Sequence, residues 1–453
     1  MQPVRSPSGR SAYVTRVNER DRTKWPETAG SLRQPLSLSK HKERCREFRV
    51  SKIKSHSPGK LFVWTLQMRI AQVAPLAESV PPKLYGGTER VISWLTEELV
   101  NLGHEVTLFA SGDSRTGATL VPVWPRALRL GRPKTDPAVP QTALLEAIAQ
   151  RVADFDVIHC HIDWLPLPLL SRLRAPFVTT THGRLDLPGL SDLIGRFPNA
   201  PFISISDNQR APLPQAYWLG TIHHGLPLNA FRPSYARGSY LAFLGRITAE
   251  KGPETAIRIA KATGMQLRIA AKIPRAEQSY FNEKLKPMID NDRIQFIGEV
   301  NGQAKEDFLA GAAAMLFPID WPEPFGLVMI EAMACGTPVI AFPSGSVPEV
   351  LENEVTGFIV EGEVQAVEAV AKIGQIDRRG VRARFEERFT AKRMAEEYVR
   401  HYAMLSTSQP SGDIASAKRA VPASRPRVNS LRALRKSLNI SRRLPRTKSG
   451  MGN

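Results

Sequence analysis

The sequence predicts an α/β fold with two doubly wound halves, each a parallel sheet with helices on both faces. From Met68 onward, short apolar strand patterns alternate with helical patterns. After residues 225–239, which are rich in Pro and Gly, a second series of the same kind begins at Tyr240. Ligands of such sheets bind at the carboxyl ends of the strands, so two halves of similar size predict a cleft between them.

The first half opens with a strand and then a helix over residues 88–102. Thr88 stands at the expected N-cap of this helix, and its apolar residues fall on one stripe. The predicted strands of this half cover residues 69–74, 105–110, 157–160, 177–181, 202–205 and 221–223. Because helical segments separate these strands, we expect parallel pairing.

The second half repeats the alternation, and an amphipathic helix that includes residues 394–405 closes it. Its predicted strands cover residues 240–244, 266–271, 294–297, 314–317, 338–341 and 357–360. Its predicted helices cover residues 253–263, 276–288, 303–310 and 325–335. The resulting boundaries are residues 68–225 for the first domain, 226–239 for a linker, 240–390 for the second domain and 391–405 for the closing helix.

The net charge of +19 comes from the two ends of the chain. Residues 1–67 hold 15 Lys and Arg against 5 Asp and Glu, and residues 406–453 hold 11 against 1. Residues 68–405 are nearly neutral, with 36 basic and 37 acidic side chains. A protein that grips a polyanion carries its charge on the folded surface, so this distribution disfavours a nucleic-acid-binding protein.

Both ends lack a sustained apolar period, and we predict that they are disordered. Residues 1–67 are either a basic arm of the protein or a stretch upstream of a biological start at Met68. Residues 431–444 place leucines among arginines, a pattern typical of a segment that lies on an anionic membrane surface. A solvated basic tail is the alternative interpretation.

The three cysteines, Cys45, Cys160 and Cys335, show no paired spacing. Two of them lie in apolar contexts, so we expect reduced, buried thiols and no metal site. No apolar run reaches the roughly 18 residues that span a membrane. Residues 61–66 are too short for the core of a signal peptide. The sequence therefore predicts a cytoplasmic protein, or one in peripheral contact with the inner face of the membrane.

Residues 318–341 concentrate the features that indicate chemistry. Glu323 lies between two prolines, so its carboxylate cannot stand inside a helix. The apolar helix that follows contains a single charge, Glu331, and Gly336 is placed to end it. A buried carboxylate needs a partner. The candidates are a hydroxyl-rich group such as ribose, or a salt bridge to Arg246 or Lys251.

The start of that helix supplies further donors. The backbone amides of Phe325, Gly326 and Leu327 have no partner within the helix, and the helix terminus carries positive potential. Such a terminus suits the hydroxyls of a sugar or a phosphate. Arg246 and Lys251 follow the first strand of the second half, where a diphosphate would need cations. Two surface cations near a turn are the alternative.

Gly86 and Gly87 open the first helix of the first half, where glycines let backbone amides approach a ligand. The pattern is not GxGxxG, which argues against a nicotinamide dinucleotide. A double glycine is as often only a turn. Several histidines also end strands of this half, and His182 is the one we expect in the site. The others are His159, His161, His223 and His224.

These motifs resemble the retaining glycosyltransferases of family 4. The resemblance rests on Glu323 and Glu331 with the intervening PFGLVMI, on AMACGTPVIA after them, on residues 245–252 and on the early double glycine. It spans about residues 68–405 in the correct order. It implies a GT-B fold, in which two Rossmann-like domains face a cleft and the second holds most of a nucleotide sugar. One departure is Lys272-Ile273-Pro274, where relatives often have a glycine, so we assign no residues to base recognition.

The resemblance also implies the roles of the predicted residues. Arg246 and Lys251 would hold the diphosphate, and Glu331 the ribose. Glu323 and the amides of residues 325–327 would grip the sugar hydroxyls. His182 would lie near the transferred sugar, and the double glycine would face the phosphates. Family members need no metal and are thought to react by same-face substitution without an enzymic nucleophile, so positioning and electrostatics carry the catalysis.

The sequence therefore predicts a metal-independent enzyme without a cofactor. It would transfer a hexosyl unit from a nucleoside diphosphate sugar to a carbohydrate, lipid or small-molecule acceptor. A sugar-nucleotide epimerase or hydrolase on the same fold is the alternative among enzymes. A basic nucleic-acid-binding protein is the alternative of another class. The donor base, the sugar and the acceptor cannot be derived from the sequence.

Overall fold

The computed structural model describes residues 67–83, 86–173 and 175–407. Residues 1–66 and 408–453 of the two basic extensions, with Cys45 and residues 431–444, lie outside the described residues, and so does Tyr85 of the glycine-rich turn. Within the described residues, no helix combines the length and the apolar character needed to cross a membrane.

The first half is built on a seven-stranded sheet in which every neighbouring pair is parallel. Its strands are β1 (Arg69–Val73), β2 (Glu105–Ser111), β3 (Thr119–Trp124), β4 (Val157–Cys160), β5 (Phe177–Thr180), β6 (Pro201–Ser204) and β7 (Tyr217–Thr221). Its helices are α1 (Gly87–Asn101), α2 (Ala138–Arg151), α3 (Leu167–Leu173) and α4 (Leu190–Gly195). The spatial order is β3-β2-β1-β4-β5-β6-β7, with the first strand in the middle.

The second half repeats this plan with six parallel strands in the order β10-β9-β8-β11-β12-β13. These are β8 (Tyr240–Arg246), β9 (Leu267–Lys272), β10 (Ile294–Gly298), β11 (Ala312–Phe317), β12 (Val339–Ala341) and β13 (Gly357–Ile359). The helices are α5 (Pro253–Thr263), α6 (Gln278–Tyr280), α7 (Gly302–Ala310), α8 (Leu327–Ala334), α9 (Val347–Val350), α10 (Glu363–Lys372), α11 (Arg378–Arg388) and α12 (Ala391–Thr407). The prediction of an α/β fold with two doubly wound halves is confirmed.

Helices cover both faces of the first sheet, as the side-chain period of a strand requires. Ile70 belongs to a core cluster with residues of α1 and α12, such as Leu95 and Tyr398. Its neighbour Ala71 belongs to the cluster on the other face, which includes Leu144 of α2. The closing helix α12 therefore packs on the first half although it follows the second half in the chain.

Two predicted elements differ from the structure for local reasons. The stretch between β2 and α2, where we predicted no strand, contains the edge strand β3, whose partly exposed residues include Pro122. Edge strands tolerate proline, so the usual strand signal was weak. The helix predicted over residues 276–288 is instead the single turn α6 followed by the π-turn Phe281–Leu285, with 3₁₀ turns on both sides. Pro287 lacks the N–H that a regular helix would use there.

Two further expectations were wrong by a few residues. The last strand of the first half is Tyr217–Thr221 and not residues 221–223. Thr88 is not the N-cap of α1, because the helix already begins at Gly87 and Gly86 occupies the cap position without a side-chain hydrogen bond. The helix therefore begins one residue before the start that we predicted.

A carboxylate of the second half holds a loop of the first. Glu349, in α9, accepts hydrogen bonds from the backbone N–H groups of Asp207 and Asn208 at 2.7 and 2.8 Å. The Nε2 atom of His223 lies 3.2 Å from the same carboxylate. Burial acts to raise the pKa of Glu349, but the hydrogen bonds from His223 and the two amides outweigh it, so the pKa lies below its usual value.

We predict that Glu349→Ala lowers the free energy of unfolding by about 1–3 kcal/mol, because hydrogen bonds to a charged acceptor are lost. Amide hydrogen exchange around Asp207 and Asn208 should become faster. The pKa of folded Glu349 is depressed, so its contribution is complete above the pKa of an unfolded glutamate, about 4.3, and is lost as the pH falls through the lower folded value. Urea unfolding near pH 7 and below pH 4 measures the difference. Glu368→Ala, on the exposed side of α10, is the control; an equal effect of both variants would contradict the prediction.

Candidate active site

The carboxyl ends of the strands of both sheets line one cleft with a volume of about 470 Å³. The first half contributes the loop before α1 and His182, two residues after the end of β5. The second half contributes the ends of β8 and β9 and the start of α8. This is the position that the doubly wound fold favours for a ligand. All ten residues that the sequence singled out line the cleft, namely Gly86, Gly87, His182, Arg246, Lys251, Glu323, Phe325, Gly326, Leu327 and Glu331.

Two cations lie on the wall formed by the second half. Strand β8 ends at Arg246, whose guanidinium donates to Glu250 at 2.8 Å. Lys251 ends the short turn before α5, and its ammonium group pairs with Glu323. The same ammonium group lies 5.2 Å from the centroid of the Trp321 ring. Only 15% of the Lys251 side chain is exposed, so this cation is fixed in the wall and not free on the surface.

The loop that carries Glu323 is held from behind by the segment before α9. Ser346 donates its backbone N–H to the carbonyl of Glu323 at 2.9 Å and its hydroxyl to the carbonyl of Phe325 at 2.8 Å. Gly345 has φ +63°, and a Cβ there would lie 2.2 Å from the backbone nitrogen of Glu323. Only glycine fits this close approach. As the flanking prolines predicted, Glu323 lies outside the helix.

Helix α8 begins at Leu327, two residues later than predicted. Gly326 is its N-cap in a left-handed conformation, with φ +76°, so the chain turns sharply between Phe325 and the helix. Phe325, Gly326 and Leu327 all line the cleft, which brings the positive end of the helix to the ligand side. Gly336, with φ +72°, follows the C-cap as expected.

Glu331 forms a salt bridge with Lys305. The alternative interpretation of this carboxylate, a salt bridge to Arg246 or Lys251, was therefore wrong about the cation. The Glu331 side chain is 4% exposed and that of Lys305 is 18% exposed. Both residues line the cleft. Lys305 lies in α7, and a lysine in the middle of a polar helix carries no local signal that distinguishes it from a surface cation. Sequence reasoning therefore missed it.

The first half lines the cleft with Gly86 and Gly87 and with charged side chains. A Cβ on Gly87 would lie 3.4 Å from the Leu327 side chain, so the two halves approach each other here. Arg129 and Glu89 also line the cleft and were not predicted. Burial raises the pKa of Glu89. Arg129 follows β3, an element that the sequence did not reveal, which explains why it was missed.

The structure places His182, two residues after the end of β5, on the cleft wall together with His224. The centroids of the two stacked rings are 5.3 Å apart. Burial lowers the pKa of His182 to about 3, so the ring is neutral near neutral pH. His159 and His161 are buried behind it, and the Nδ1 atom of His161 lies 2.9 Å from the Nε2 atom of His182. His223 belongs to the Glu349 contact instead.

In the part of the chain that the structure describes, no three His, Cys, Asp or Glu side chains are placed to hold a metal ion together. Cys160 and Cys335 are buried and unpaired, as predicted. The independence from a metal or cofactor stays a prediction.

Two family models match the chain, one for each half. The model of Glycosyltransferase Family 4 matches residues 85–218, and the model of Glycosyl transferases group 1 matches residues 231–389. The two matches follow each other in the order of the halves, and the second contains Arg246, Lys251, Glu323 and Glu331.

Named relatives support the same class of enzyme. The chain is 25% identical over 332 residues to D-inositol 3-phosphate glycosyltransferase of Mycolicibacterium smegmatis, a match that covers 61% of this chain and 75% of the relative. It is also 25% identical over 342 residues to an uncharacterised glycosyltransferase of Methanocaldococcus jannaschii, covering 64% and 85% of the two chains.

Solved structures show the same architecture. AviGT4, a glycosyltransferase involved in Avilamycin A biosynthesis, superposes with a TM-score of 0.58 at 26% identity, covering 76% of this chain and 99% of that chain. Sucrose-phosphate synthase of Thermosynechococcus elongatus has a TM-score of 0.62 at 20% identity, covers 76% and 100% of the two chains, and shows the fold. With the two sheets, the cleft and the matching models, these likenesses identify the chain as a glycosyltransferase of the family 4 type with a GT-B fold.

Proposed function

We propose that the protein transfers a hexosyl unit from a nucleoside diphosphate sugar to an acceptor, with retention of configuration and without a metal. The observation that supports this most is the arrangement of the cleft wall. The cations Arg246 and Lys251, the carboxylate of Glu323 and the N-terminus of α8 line the same cavity. A nucleotide sugar presents a diphosphate and a ring of hydroxyl groups side by side, and this set of donors and acceptors matches both.

In this proposal, Arg246 and Lys251 bind the diphosphate. Both cations are already paired with carboxylates, Arg246 with Glu250 and Lys251 with Glu323. A diphosphate would add anionic acceptors to the same ammonium and guanidinium groups. The carboxylate of Glu323, relieved of part of its contact with Lys251, then accepts hydrogen bonds from sugar hydroxyls.

Glu331 binds the ribose hydroxyls, and Lys305 keeps this buried carboxylate paired when no nucleotide is present. The salt bridge matters because an unpaired carboxylate with 4% exposure would be strongly unfavourable. The amides at the start of α8 and the positive helix end favour negative charge or hydroxyl oxygens nearby. His182 lies across the cleft, on the first half, beside the transferred sugar.

The proposed reaction breaks the bond between the anomeric carbon and the diphosphate oxygen and forms a bond from the same carbon to the acceptor oxygen. Both events occur on one face of the sugar. The proton of the acceptor hydroxyl goes to the leaving diphosphate, so no enzymic nucleophile or base is needed. The protein contributes position and electrostatic stabilisation of the diphosphate charge.

A sugar-nucleotide epimerase or hydrolase remains the alternative among enzymes, because the same donor site would serve it. Mass spectrometry of the products distinguishes the two, because only a transferase consumes the acceptor. The basic nucleic-acid-binding alternative is suggested by the net charge of the chain, which residues 1–67 and 406–453 carry. Binding of nucleic acid that survives in a chain reduced to residues 68–405 would contradict our charge argument and favour a nucleic-acid-binding fold.

We predict that one of the UDP-, GDP- and ADP-hexoses raises the thermal unfolding midpoint by several degrees. A ligand at about 100 times its dissociation constant adds about 2.7 kcal/mol to the stability of the native state. Lys251→Met should remove most of this shift, because the diphosphate loses a cation. Lys261→Met, an exposed lysine of α5, is the matched control and should keep the shift. If no nucleotide sugar stabilises the protein, the proposed donor class is wrong.

We further predict that Glu323→Gln lowers the transfer rate by about 10²–10³-fold, the loss typical of one preorganised group at a reacting centre. The glutamine side chain has the size of the glutamate side chain but carries no charge. It therefore accepts hydrogen bonds more weakly and forms no ion pair with Lys251. Initial rates with the stabilising donor measure the effect, with circular dichroism to verify the fold. Glu363→Gln removes an exposed carboxylate that pairs with Arg258 and should leave the rate unchanged. Near-normal turnover of Glu323→Gln would exclude our assignment of the site.

A further inference from the structure

A chain of buried hydrogen bonds connects the closing helix α12 to His182 on the cleft wall. The amide of Gln72, in β1, lies at its centre and is fully buried. On one side, the Oε1 atom of Gln72 lies 2.8 Å from Nε2 of His161, and Nδ1 of His161 lies 2.9 Å from Nε2 of His182. On the other side, Nε2 of Gln72 donates to the hydroxyl of Tyr402 at 3.2 Å.

The direction of the first branch follows from the chemistry of an amide. The Oε1 atom of Gln72 can only accept, so Nε2 of His161 carries the hydrogen. Burial, with the neighbouring histidines His159, His182 and His224, lowers the pKa of His161 well below its usual value, so the ring is neutral. A neutral imidazole has one donor and one acceptor. Nδ1 of His161 therefore accepts, and Nε2 of His182 donates to it.

The tautomer of His182 is fixed in turn. Because its Nε2 atom carries the hydrogen, its Nδ1 atom has a free lone pair. That Nδ1 atom is buried and has no hydrogen-bond partner among residues 67–83, 86–173 and 175–407, while the residue itself lines the cleft. A buried acceptor without a partner is unfavourable, and a donor group of a bound ligand would satisfy it.

The second branch orients the amide of Gln72. The hydroxyl of Tyr402 accepts from Gln72 and lies 2.6 Å from Nδ1 of His159. Nε2 of His159 lies 2.7 Å from the hydroxyl of Thr180, which in turn lies 3.0 Å from the hydroxyl of Tyr398. With Tyr402 donating to His159 and His159 donating to Thr180, the bonds from Gln72 to Thr180 run in one direction, away from Gln72.

We propose that Gln72 and His161 are positioning residues that hold His182 in the Nε2–H tautomer, so that its Nδ1 atom accepts a hydrogen bond from a hydroxyl group of the bound substrate. This inference rests on the proposed function for the identity of the substrate, though not for the tautomer. It requires that the substrate group in contact with Nδ1 of His182 is a hydrogen-bond donor. A hydroxyl of the transferred sugar and a hydroxyl of the acceptor share this chemistry.

The tautomer can be tested without any substrate. In the full chain labelled with ¹⁵N-histidine, long-range ¹H–¹⁵N correlation spectra separate protonated from unprotonated ring nitrogens, and His182→Gln identifies the signals of His182. We expect an unprotonated Nδ1 and a protonated Nε2 near neutral pH. A protonated Nδ1 atom would overturn the proposal, whether or not the protein transfers a sugar.

Gln72→Leu tests the role of the amide, because it removes the acceptor for His161 while keeping a buried side chain of similar volume. We expect the Nδ1 signal of His182 to move toward the protonated position. Thr180→Val breaks the chain at its far end and should leave that signal in place. If Gln72→Leu does not fold, Gln72→Met takes its place. A His182 spectrum unchanged in a folded Gln72 variant would exclude Gln72 as the positioning residue.

The ligand is tested with the nucleotide hexose that gives the largest thermal shift and with its monodeoxyfluoro analogues. Fluorine keeps an acceptor but removes the donor, so one analogue should bind about 10-fold more weakly. The Gln72 variant should bind this analogue almost as tightly as the unmodified enzyme does, because the analogue lacks the donor that Nδ1 of His182 would accept. If all analogues bind the enzyme equally in the absence of acceptor, but deoxyfluoro acceptors react about 10-fold more slowly, the hydroxyl belongs to the acceptor. No loss with either set would overturn the assignment of a hydroxyl partner.

Discussion

The cleft depends on the two places where the chain crosses from one half to the other. These two crossing segments run side by side and are joined by backbone hydrogen bonds. The N–H of Leu226 donates to the carbonyl of Phe389 at 2.9 Å, and the N–H of Ala391 donates to the carbonyl of Leu226 at 2.7 Å. A Cβ on Gly225 would lie 2.2 Å from the carbonyl oxygen of Thr390, so the crossings could not approach this closely with a larger residue. The carboxyl ends of both sheets are thereby held opposite each other.

This junction also explains why α12 packs on the first half. Directly after the second crossing, Arg393 donates to the carbonyl of His223 at 2.5 Å and pairs with Glu397 at 2.7 Å, which fixes the direction of the helix. Tyr398 and Tyr402 then reach the buried polar chain behind the cleft. A single backbone junction thus supports both the position of the cleft walls and the environment of His182.

Charged groups in the cleft are paired before any ligand arrives. Lys251 pairs with Glu323 and Lys305 with Glu331, and all four side chains are largely buried. Such pairs avoid the large penalty of an isolated buried charge, and they hold each group in a defined position. Preorganised charges need little rearrangement when a diphosphate binds or when negative charge develops on it. The same pairing that stabilises the wall therefore prepares it for the proposed reaction.

Local signals predicted most of the architecture, because alternating strands and helices and the residues that interrupt them act over a few positions. The two prolines around Glu323, the glycines at 326 and 336 and the apolar run between them located the site wall. The edge strand β3 was missed because its residues are partly exposed and include a proline. Arg129, which follows β3, was missed with it.

The sequence by itself determined the order of the elements, the parallel sheets and the identity of the residues at the strand ends. Only the tertiary structure decided which of these charges pair and which way the buried hydrogen bonds run. Lys305 meets Glu331 across 26 positions, and Tyr402 meets Gln72 across 330. Contacts between such distant positions leave no periodicity or spacing in the chain, since they depend on how whole elements pack and not on neighbouring residues.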